Sequence, residues 1–264
     1  MKIGAFLGLV AFPLLAGAAP ALAQDAPPTE PLIINDELVF PPGVPRYLTT
    51  TERKWLDTHL DSHVRSVGVT APPTGPIHCA AEYEPMEAIV LSWKTYPSVQ
   101  TPMGVNITTT GSADLYVVCD NASVQASANS SLTSGGANMS RVHYYIRTTD
   151  TVWVRDYGPR YIFEGNCRAL VDHRYNRPRP NDDALNDGFS AMKHQAFYQL
   201  GLSPYQLIHG GGNYHLDASA HSFCTRLVDT ENTLPYTASN PYPPYDSHSF
   251  TETQIHDIWQ TYQG

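Results

Sequence analysis

One stretch near the middle of the chain decides how its fold is interpreted: Thr148-Thr149-Asp150-Thr151-Val152-Trp153-Val154-Arg155-Asp156-Tyr157-Gly158-Pro159-Arg160. After a polar lead-in it places an indole, a guanidinium and a carboxylate within four positions, and Gly-Pro then breaks the backbone. A carboxylate matches a guanidinium fork, and an aromatic face adds a cation–π attraction of roughly 0.5–2 kcal/mol. The pattern therefore predicts that Trp153 and Asp156 form a cradle for a planar cation. Asp156 could instead pair with Arg155 or cap a turn.

Three further motifs accompany this stretch in order along the chain. They are Glu84–Trp93 upstream, and Tyr175–Asp183 and His209–Asp217 downstream. Together the four motifs resemble the family of agmatine deiminases and Porphyromonas-type peptidylarginine deiminases, enzymes that modify guanidino groups. The resemblance runs from about Cys79 to Gly264.

Fold class follows from the alternation of predicted strands and helices, which indicates an α/β protein and, by pattern alone, an open sheet. The resemblance implies instead a partial pentein, an α/β propeller built from ββαβ modules, with about two to three of five modules present. The expected organisation is a signal peptide over 1–23, a proline-rich extension with one helix over 24–76, and an incomplete deiminase domain over 77–264.

The chemistry implied by the resemblance is arginine deimination, which converts a guanidinium into a ureido group and releases ammonia. A thiolate attacks the guanidinium carbon, a histidine protonates the departing ammonia, and carboxylates hold the remaining nitrogens. By the resemblance, Asp156 is the first catalytic carboxylate and Trp153 forms a neighbouring wall of the substrate site. No metal or other cofactor is required.

The later catalytic parts of the family, a His-x-Asp pair and a nucleophilic cysteine, have no counterpart at the expected place in this chain. A final helix over 251–262 would also need the sheet of a following strand to cover it. The chain is therefore expected to be an N-terminal fragment or a truncated product that does not turn over by itself.

Arg177 and Arg179 carry the expectation about specificity. Separated by a single proline, they can face an anion as a stiff pair. In the peptidylarginine branch this Tyr-Asn-Arg-Pro-Arg segment is associated with the free carboxylate of a C-terminal arginine, a group that agmatine lacks. The alternative is a solvated loop in which the two arginines pair with Asp182 and Asp183.

The predicted function is therefore a protein-arginine deiminase that converts C-terminal peptidyl-arginine to citrulline and ammonia. Two alternatives stay open: an agmatine deiminase-like enzyme of putrescine biosynthesis, and a non-catalytic remnant that binds arginine peptides. The expected partners are arginine-containing peptides or proteins, or agmatine. A formal net charge of −9 argues against nucleic acid and anionic membranes as partners. The sequence does not fix an oligomeric state.

An alternative catalytic pair is His215-Leu216-Asp217, which matches the His-x-Asp pattern. It follows a triple glycine, however, and that sequence resembles a strand that precedes the catalytic pair in the family. Cys224 could complete a Cys/His site there, although a disulfide or a buried thiol is favoured. A zinc site is the remaining alternative, with the candidate ligands His209, His215, Asp217 and His221.

The N-terminus indicates export. Met1-Lys2, an apolar run and Ala21-Leu22-Ala23 have the form of a cleaved signal peptide, which predicts a secreted or periplasmic protein. In such a compartment two disulfides are the first expectation for the four cysteines, with the pairing left open: Cys79, Cys119, Cys167 and Cys224.

Local patterns predict the individual elements. A helix begins at Thr49–Glu52 and continues to Val64, and Asn121 caps another helix. A helix is predicted over Asp183–Leu200 and a strand over Ser222–Val228. Gly165-Asn166 predicts a hairpin turn between the strands Tyr161–Phe163 and Arg168–Val171. The last helix begins with a capping box at Ser249–Glu252 and has an apolar face of Ile255, Ile258, Trp259 and Tyr262.

Overall fold

A computed structural model describes residues 29–59, 71–193, 195–200, 207–217, 219, 221–233 and 249–264. The predicted signal peptide over 1–23 lies outside these residues, as do His63 and Val64 of the first predicted helix. Within the described ranges, none of the helices combines the length and the apolar character that a bilayer crossing requires.

The described chain is a mixed α/β structure. Its strands are β1 (Leu32–Ile34), β2 (Glu37–Val39), β3 (Ile77–Cys79), β4 (Ala88–Ser92), β5 (Asp114–Cys119), β6 (Val142–Ile146), β7 (Arg160–Glu164), β8 (Cys167–Asp172), β9 (Arg174–Tyr175), β10 (Ala196–Gln199), β11 (Ile208–His209), β12 (Tyr214–Leu216) and β13 (Ser222–Cys224). Its helices are α1 (Thr50–His59), α2 (Pro97–Thr108), α3 (Ala122–Gly135), α4 (Val154–Tyr157), α5 (Pro180–Asp183), α6 (Leu185–Lys193), α7 (Arg226–Thr233) and α8 (Glu252–Gln263).

The N-terminal extension forms the β1–β2 hairpin and helix α1. Thr49 and Glu52 build the predicted capping box, because the Glu52 N–H donates to Thr49 Oγ1 and the Thr49 N–H donates to Glu52 Oε2. Leu48 and Leu56 then pack against Ile208 of β11. The extension is therefore fastened to the body of the protein rather than hanging free from it.

A parallel sheet in the order β4-β5-β6 forms the first layer. Helices α2 and α3 make its crossovers. Helix α3 buries Ala128 and Leu132 against the sheet, and Ile107 of α2 packs against the same cluster. The prediction for α3 is confirmed: Asn121 Oδ1 accepts the N–H groups of Ser123 and Val124. Helix α2 was not predicted; it has Pro97 in its first turn and Pro102 in its interior.

The second sheet has the order β10-β8-β7-β3, with β7 and β8 joined in the predicted hairpin at Gly165. Helix α8 covers this sheet with the predicted apolar face, and all four of its residues are buried: Ile255, Ile258, Trp259 and Tyr262. The expectation that this helix lacks a sheet to cover it is therefore wrong. Its capping box lies two residues later than predicted, between Thr251 and Gln254.

Two of the predicted elements are wrong. The helix expected over Asp183–Leu200 is divided into α5, α6 and strand β10, because Ala196–Gln199 pairs in parallel with β8. The strand expected over Ser222–Val228 ends at Cys224, and helix α7 follows. Strand β10 is defined by a partner that lies across helices α5 and α6 in the sequence, which local pattern does not include. Strand β13 pairs instead with the adjacent β12, and it ends where α7 begins.

The expectation of two disulfides is also wrong, because all four cysteines are free: Cys79, Cys119, Cys167 and Cys224. Cys119 lies in the parallel sheet and Cys224 in the β12–β13 hairpin. Cys79 and Cys167 lie on the two strands that flank β7. Strands two apart in a sheet are separated by about 9–10 Å, which exceeds the reach of a disulfide.

Candidate functional site

The polar lead-in positions the α4 turn. The side chain of Asp182 accepts hydrogen bonds from the N–H groups of Asp150 and Thr151 at 2.7 and 3.1 Å, and from Thr151 Oγ1 at 2.7 Å. Asp150 in turn accepts the Asn181 N–H at 2.8 Å. Burial raises the pKa of both Asp150 and Asp182. These bonds tie the start of the α4 turn to the segment that carries Arg177 and Arg179.

The backbone of Asp156 is held from both sides. Its N–H donates to Trp153 O at 2.9 Å, and its carbonyl oxygen lies 3.0 Å from His173 Nε2. The adjacent Tyr157 is buried and donates to Thr151 O at 2.5 Å. The direction of the Asp156 side chain is therefore fixed by the turn.

The carboxylate of Asp156 is buried and only partly paired. Oδ1 accepts the Gly212 N–H at 3.2 Å and lies 3.5 Å from Arg46 Nη1. Oδ2 is buried and has no hydrogen-bond partner among the described residues. Burial raises the pKa of Asp156, and the charge of Arg46 opposes that rise. A buried acceptor without a donor costs about 1–3 kcal/mol, so this oxygen is a place where a cationic ligand would be stabilised.

Neither alternative for Asp156 describes its environment. Arg155 points to Glu82, with Nη2 2.5 Å from Oε1, and also lies 3.3 Å from His215 Nδ1. Asp156 does not cap its own turn either, because its backbone donor, Gly212, is 56 residues further along the chain. The carboxylate is therefore surrounded by residues from distant parts of the chain.

The triple glycine allows the chain to approach this carboxylate closely. A Cβ atom on Gly212 would lie 2.8 Å from Asp156 Oδ1 and 3.1 Å from Arg46 Nη1. A Cβ atom on Gly211 would lie 2.5 Å from Arg155 O. Side chains at these positions would collide with the turn, so glycine is needed for the backbone N–H to reach Asp156.

Trp153 is anchored by its indole N–H, which donates to Val44 O at 3.0 Å. The ring lies 6.5 Å from the ring of Tyr96 and packs beside Tyr157 and Tyr175. The indole thus joins the turn to the N-terminal extension. That it forms a wall of a substrate site stays a prediction.

Arg177 is buried beside a second carboxylate that the sequence did not suggest. Its Nη1 lies 3.5 Å from Glu231 Oε1, and its Nε donates to Arg46 O at 3.3 Å. Asn176 Nδ2 donates to both oxygens of Glu231 at 2.9 Å. Burial raises the pKa of Glu231 to about 7, although the charge of Arg177 opposes the rise.

Arg179 is fully buried in an ion pair. Its Nε and Nη2 donate to the two carboxylate oxygens of Glu52 at 2.6 and 3.2 Å, and both side chains are 0% exposed. Its Nη1 lies 3.3 Å from the hydroxyl of Tyr175. The alternative of a solvated loop is therefore wrong for both arginines. Binding of a ligand carboxylate by Arg179 stays a prediction, and it would require Glu52 to be displaced.

The residues proposed for an alternative catalytic or zinc site do not form one cluster. His215 Nδ1 lies 3.5 Å from Glu82, whereas Asp217 pairs with His221 at 2.9 Å on the surface. His209 is buried and stacks on His173 with a centroid separation of 3.9 Å. Burial and the charge of Cys224's acidic neighbours raise the pKa of that thiol. Across the ranges that the structure describes, no three potential ligands meet in a metal-binding group.

A cavity of about 350 Å³ lies next to the turn but does not contain Asp156. The extension lines one side of it and the ends of β4 and β5 line the other, through residues that include Phe40, Val44, Trp93, Lys94, Asp120 and Asp150. Lys94 pairs with Asp120 at 2.5 Å. Lys94 and Asp120 therefore already pair with each other, and the third charged residue of the lining, Asp150, accepts hydrogen bonds from Asn181.

Three residues of the site were missed by the sequence analysis: Arg46, Glu52 and Glu231. Glu52 carried one signal, its place in the capping box, and that signal concerned the helix alone. Arg46 and Glu231 gave no signal, because their contacts with the site bridge 110 and 55 residues respectively.

Comparison with known proteins places this geometry in a known fold. No family model matches the sequence. A solved structure provisionally described as an agmatine deiminase aligns with 74% of this chain and 54% of its own, at 16% identity and a TM-score of 0.53. A second, provisionally described as a peptidyl-arginine deiminase, aligns with 70% of this chain and 53% of its own, at 15% identity and a TM-score of 0.51. The chain has the deiminase fold.

The resemblance expected from the four motifs is thus confirmed at the level of the fold. The chain spans about half the length of these two solved structures. The aligned part includes most of the chain but only about half of either solved structure. The activity and the substrate are therefore inferred from the residues of the site.

Proposed function

We propose that this chain forms the guanidinium-binding part of a hydrolase that converts peptidyl-arginine to citrulline and ammonia. One observation carries the proposal: Asp156 Oδ2 is buried without a donor, on the α4 turn of a chain with the deiminase fold. A guanidinium would supply that donor. It would also neutralise the carboxylate, which burial otherwise disfavours in its charged form.

Peptidyl-arginine is favoured over agmatine by the donors around the carboxylate. Trp153, Arg177 and Arg179 all donate to carbonyl oxygens of the extension. Agmatine has no carbonyl group that could accept hydrogen bonds from these donors, whereas a peptide has one at every residue. The preference for a C-terminal arginine rests on the resemblance of the Tyr175–Arg179 segment.

A second function, binding without turnover, is favoured by the raised pKa of three of the four thiols. Burial raises the pKa of Cys79, and raises that of Cys119 to about 12. Burial also raises the pKa of Cys224. A thiol with a raised pKa is protonated at neutral pH and is a poor nucleophile. The chain would then bind arginine peptides without hydrolysing them.

Two further parts of the proposal concern architecture and location. The two larger sheets would belong to ββαβ modules of a partial pentein propeller, and the protein would be secreted or periplasmic. The first is supported by the solved structures that align with the chain, and the second by the signal-peptide pattern of residues 1–23.

The test is the binding of an arginine peptide to Asp156→Asn, measured by calorimetry. Loss of a charged, buried acceptor should lower affinity about 100-fold, since about 2.7 kcal/mol is within the range of one charge-assisted hydrogen bond. Asp114→Asn is the matched control, because Asp114 pairs with Arg141 and His143 at a partly exposed site away from the turn. Unchanged affinity in Asp156→Asn would refute the proposed site.

The pH dependence provides a second readout of the same site. Because burial raises the pKa of Asp156, its carboxylate should become protonated at a higher pH than an ordinary aspartate. Affinity for the peptide should then fall as the pH is lowered through that raised value. The fall should be missing from any residual binding by Asp156→Asn. Release of a ureido product by the unaltered protein would distinguish the hydrolase from the binding function.

A further inference from the structure

The segment Val44–Tyr47 of the extension lies across the candidate site as a bound peptide would. Every carbonyl oxygen in it accepts a hydrogen bond from a side chain of the site. Trp153 Nε1 donates to Val44 O at 3.0 Å, and Arg177 Nε donates to Arg46 O at 3.3 Å. Arg179 Nη2 donates to Pro45 O at 2.8 Å and lies 3.5 Å from Tyr47 O.

The side chain of this segment that reaches the carboxylate is itself an arginine. Arg46 Nη1 lies 3.5 Å from Asp156 Oδ1 and lies against Gly212. The segment therefore presents a guanidinium to Asp156 while its backbone occupies the donors of Trp153, Arg177 and Arg179. Pro45 fixes its own φ and restricts Val44 before it, and the backbone bends at Arg46 and Tyr47.

The fit of Arg46 is incomplete. It approaches Oδ1 alone, at the long end of the hydrogen-bond range, and leaves Oδ2 without a donor. Its side chain is 56% exposed. By contrast, Val44 and Leu48 on either side are buried. The segment is thus anchored at its ends, while its arginine is only loosely engaged with the carboxylate.

We propose that Val44–Tyr47 is a built-in competitor of the substrate, with Arg46 in the place of the substrate arginine. The proposal rests on the proposed function of the Asp156 site. It also deepens that function, because it identifies the substrate as a polypeptide whose carbonyl oxygens replace those of the segment. A substrate guanidinium that bonds to both oxygens of Asp156 displaces Arg46, which bonds to one.

The strength of the competition depends on the fraction of molecules in which Arg46 occupies Asp156. The apparent affinity of a ligand is reduced by the fraction of molecules in which its site is open. If Arg46 occupies Asp156 in about nine molecules of ten, removal of its guanidinium increases the affinity for an arginine peptide about ten-fold.

The experiment compares the unaltered protein, Arg46→Ala and Arg46→Gln for binding of N-acetyl-Pro-Arg-Tyr-amide. Because the side chain of Arg46 is largely exposed, both variants should fold. Arg53→Ala, which removes an arginine of α1, is the matched control for loss of a positive charge. Measurement at about 0.15 M salt, where the Debye length is about 8 Å, limits long-range effects of charge.

The proposal is supported if both Arg46 variants bind the peptide about ten-fold more tightly and Arg53→Ala does not. It is overturned if the Arg46 variants bind as the unaltered protein does, or gain no more than Arg53→Ala; the proposed function then stands. If none of the proteins binds the peptide, the proposed function fails and the competitor fails with it.

Hydrogen exchange of peptides that cover residues 40–49 adds a readout that does not depend on affinity. Displacement of the segment predicts faster exchange there when N-acetyl-Pro-Arg-Tyr-amide is bound to the unaltered protein. Binding with no change in this exchange would show that the segment stays in place, which overturns the proposal.

Discussion

Replacement of Arg179 with methionine should destabilise the protein by about 3–5 kcal/mol, the usual cost of breaking a buried ion pair from one side. The reason lies in Glu52, whose carboxylate is 0% exposed and loses both guanidinium donors in that variant. Among the described residues, the Glu52 carboxylate would then keep one hydrogen-bond donor, the N–H of Thr49 at 2.8 Å. A buried charge with a single donor is poorly compensated.

Substitution of Glu52, the partner of Arg179, tests the same ion pair from its other side. Glu52→Gln leaves the guanidinium of Arg179 buried without its counterion and should cost a similar amount. The double variant removes both charges, so its loss should be smaller than the sum of the two single losses by at least about 2 kcal/mol.

Urea unfolding measures these differences directly, and thermal unfolding gives a second scale. For a chain of this size, about 2–4 °C of melting temperature corresponds to each kcal/mol, so the single variants should melt about 6–20 °C lower. Arg141→Met is the control, because its pair with Asp114 is partly exposed and should contribute less than about 1 kcal/mol.

The reasoning would be refuted if both single variants lost less than about 1 kcal/mol, or if the double variant lost their sum. A role of Arg179 in binding a ligand carboxylate predicts a different result. In that case Arg179→Met would lose affinity for free-carboxyl peptides but not for amidated ones, with little change in stability.

Two further changes test the surroundings of Asp156. Gly212→Ala should abolish arginine-peptide binding, because its Cβ would lie 2.8 Å from Asp156 Oδ1. Gly210→Ala should lower the affinity less, since the nearest contact of its Cβ would be at 3.2 Å. Calorimetry would compare the two variants, and equal affinities would contradict the prediction. Burial raises the pKa of Glu231 to about 7, so the folded protein retains a proton there that the unfolded chain loses above its ordinary value of 4.5. The free energy of unfolding contributed by Glu231 should therefore fall as the pH rises from about 4.5 to about 7 and then stay level. Urea unfolding at a series of pH values should show a smaller decline for Glu231→Gln, and identical declines would exclude this role.

Elements with a strong local signal could be predicted. The cap at Asn121, the turn at Gly165 and the apolar face of α8 each depend on residues close together in sequence. Helix α2 was not predicted, and Pro102 in its interior is a residue that ordinarily disfavours a helix. Strand β10 was missed because its pairing with β8 is a contact between distant segments.

The site could be predicted only in part. The W-V-R-D-Y-G-P spelling placed Asp156 on a turn, and the triple glycine suggested an irregular backbone, which the structure places against that carboxylate. The engagement of Arg177 and Arg179 with the extension could not be predicted. Polar contacts between segments more than 120 residues apart produce no periodicity and no spacing that a single sequence displays.

The bond between Arg179 and Glu52 also has a consequence for the order of events during synthesis. Glu52 precedes Arg179 by 127 residues, which corresponds to about 6–25 s of elongation at ordinary ribosomal rates. Throughout that interval Val44, Leu48 and Leu56 have been made, but the surface that buries them has not. The apolar side chains of the nascent extension therefore stay exposed during that interval, and its docking belongs to the late, long-range steps of folding.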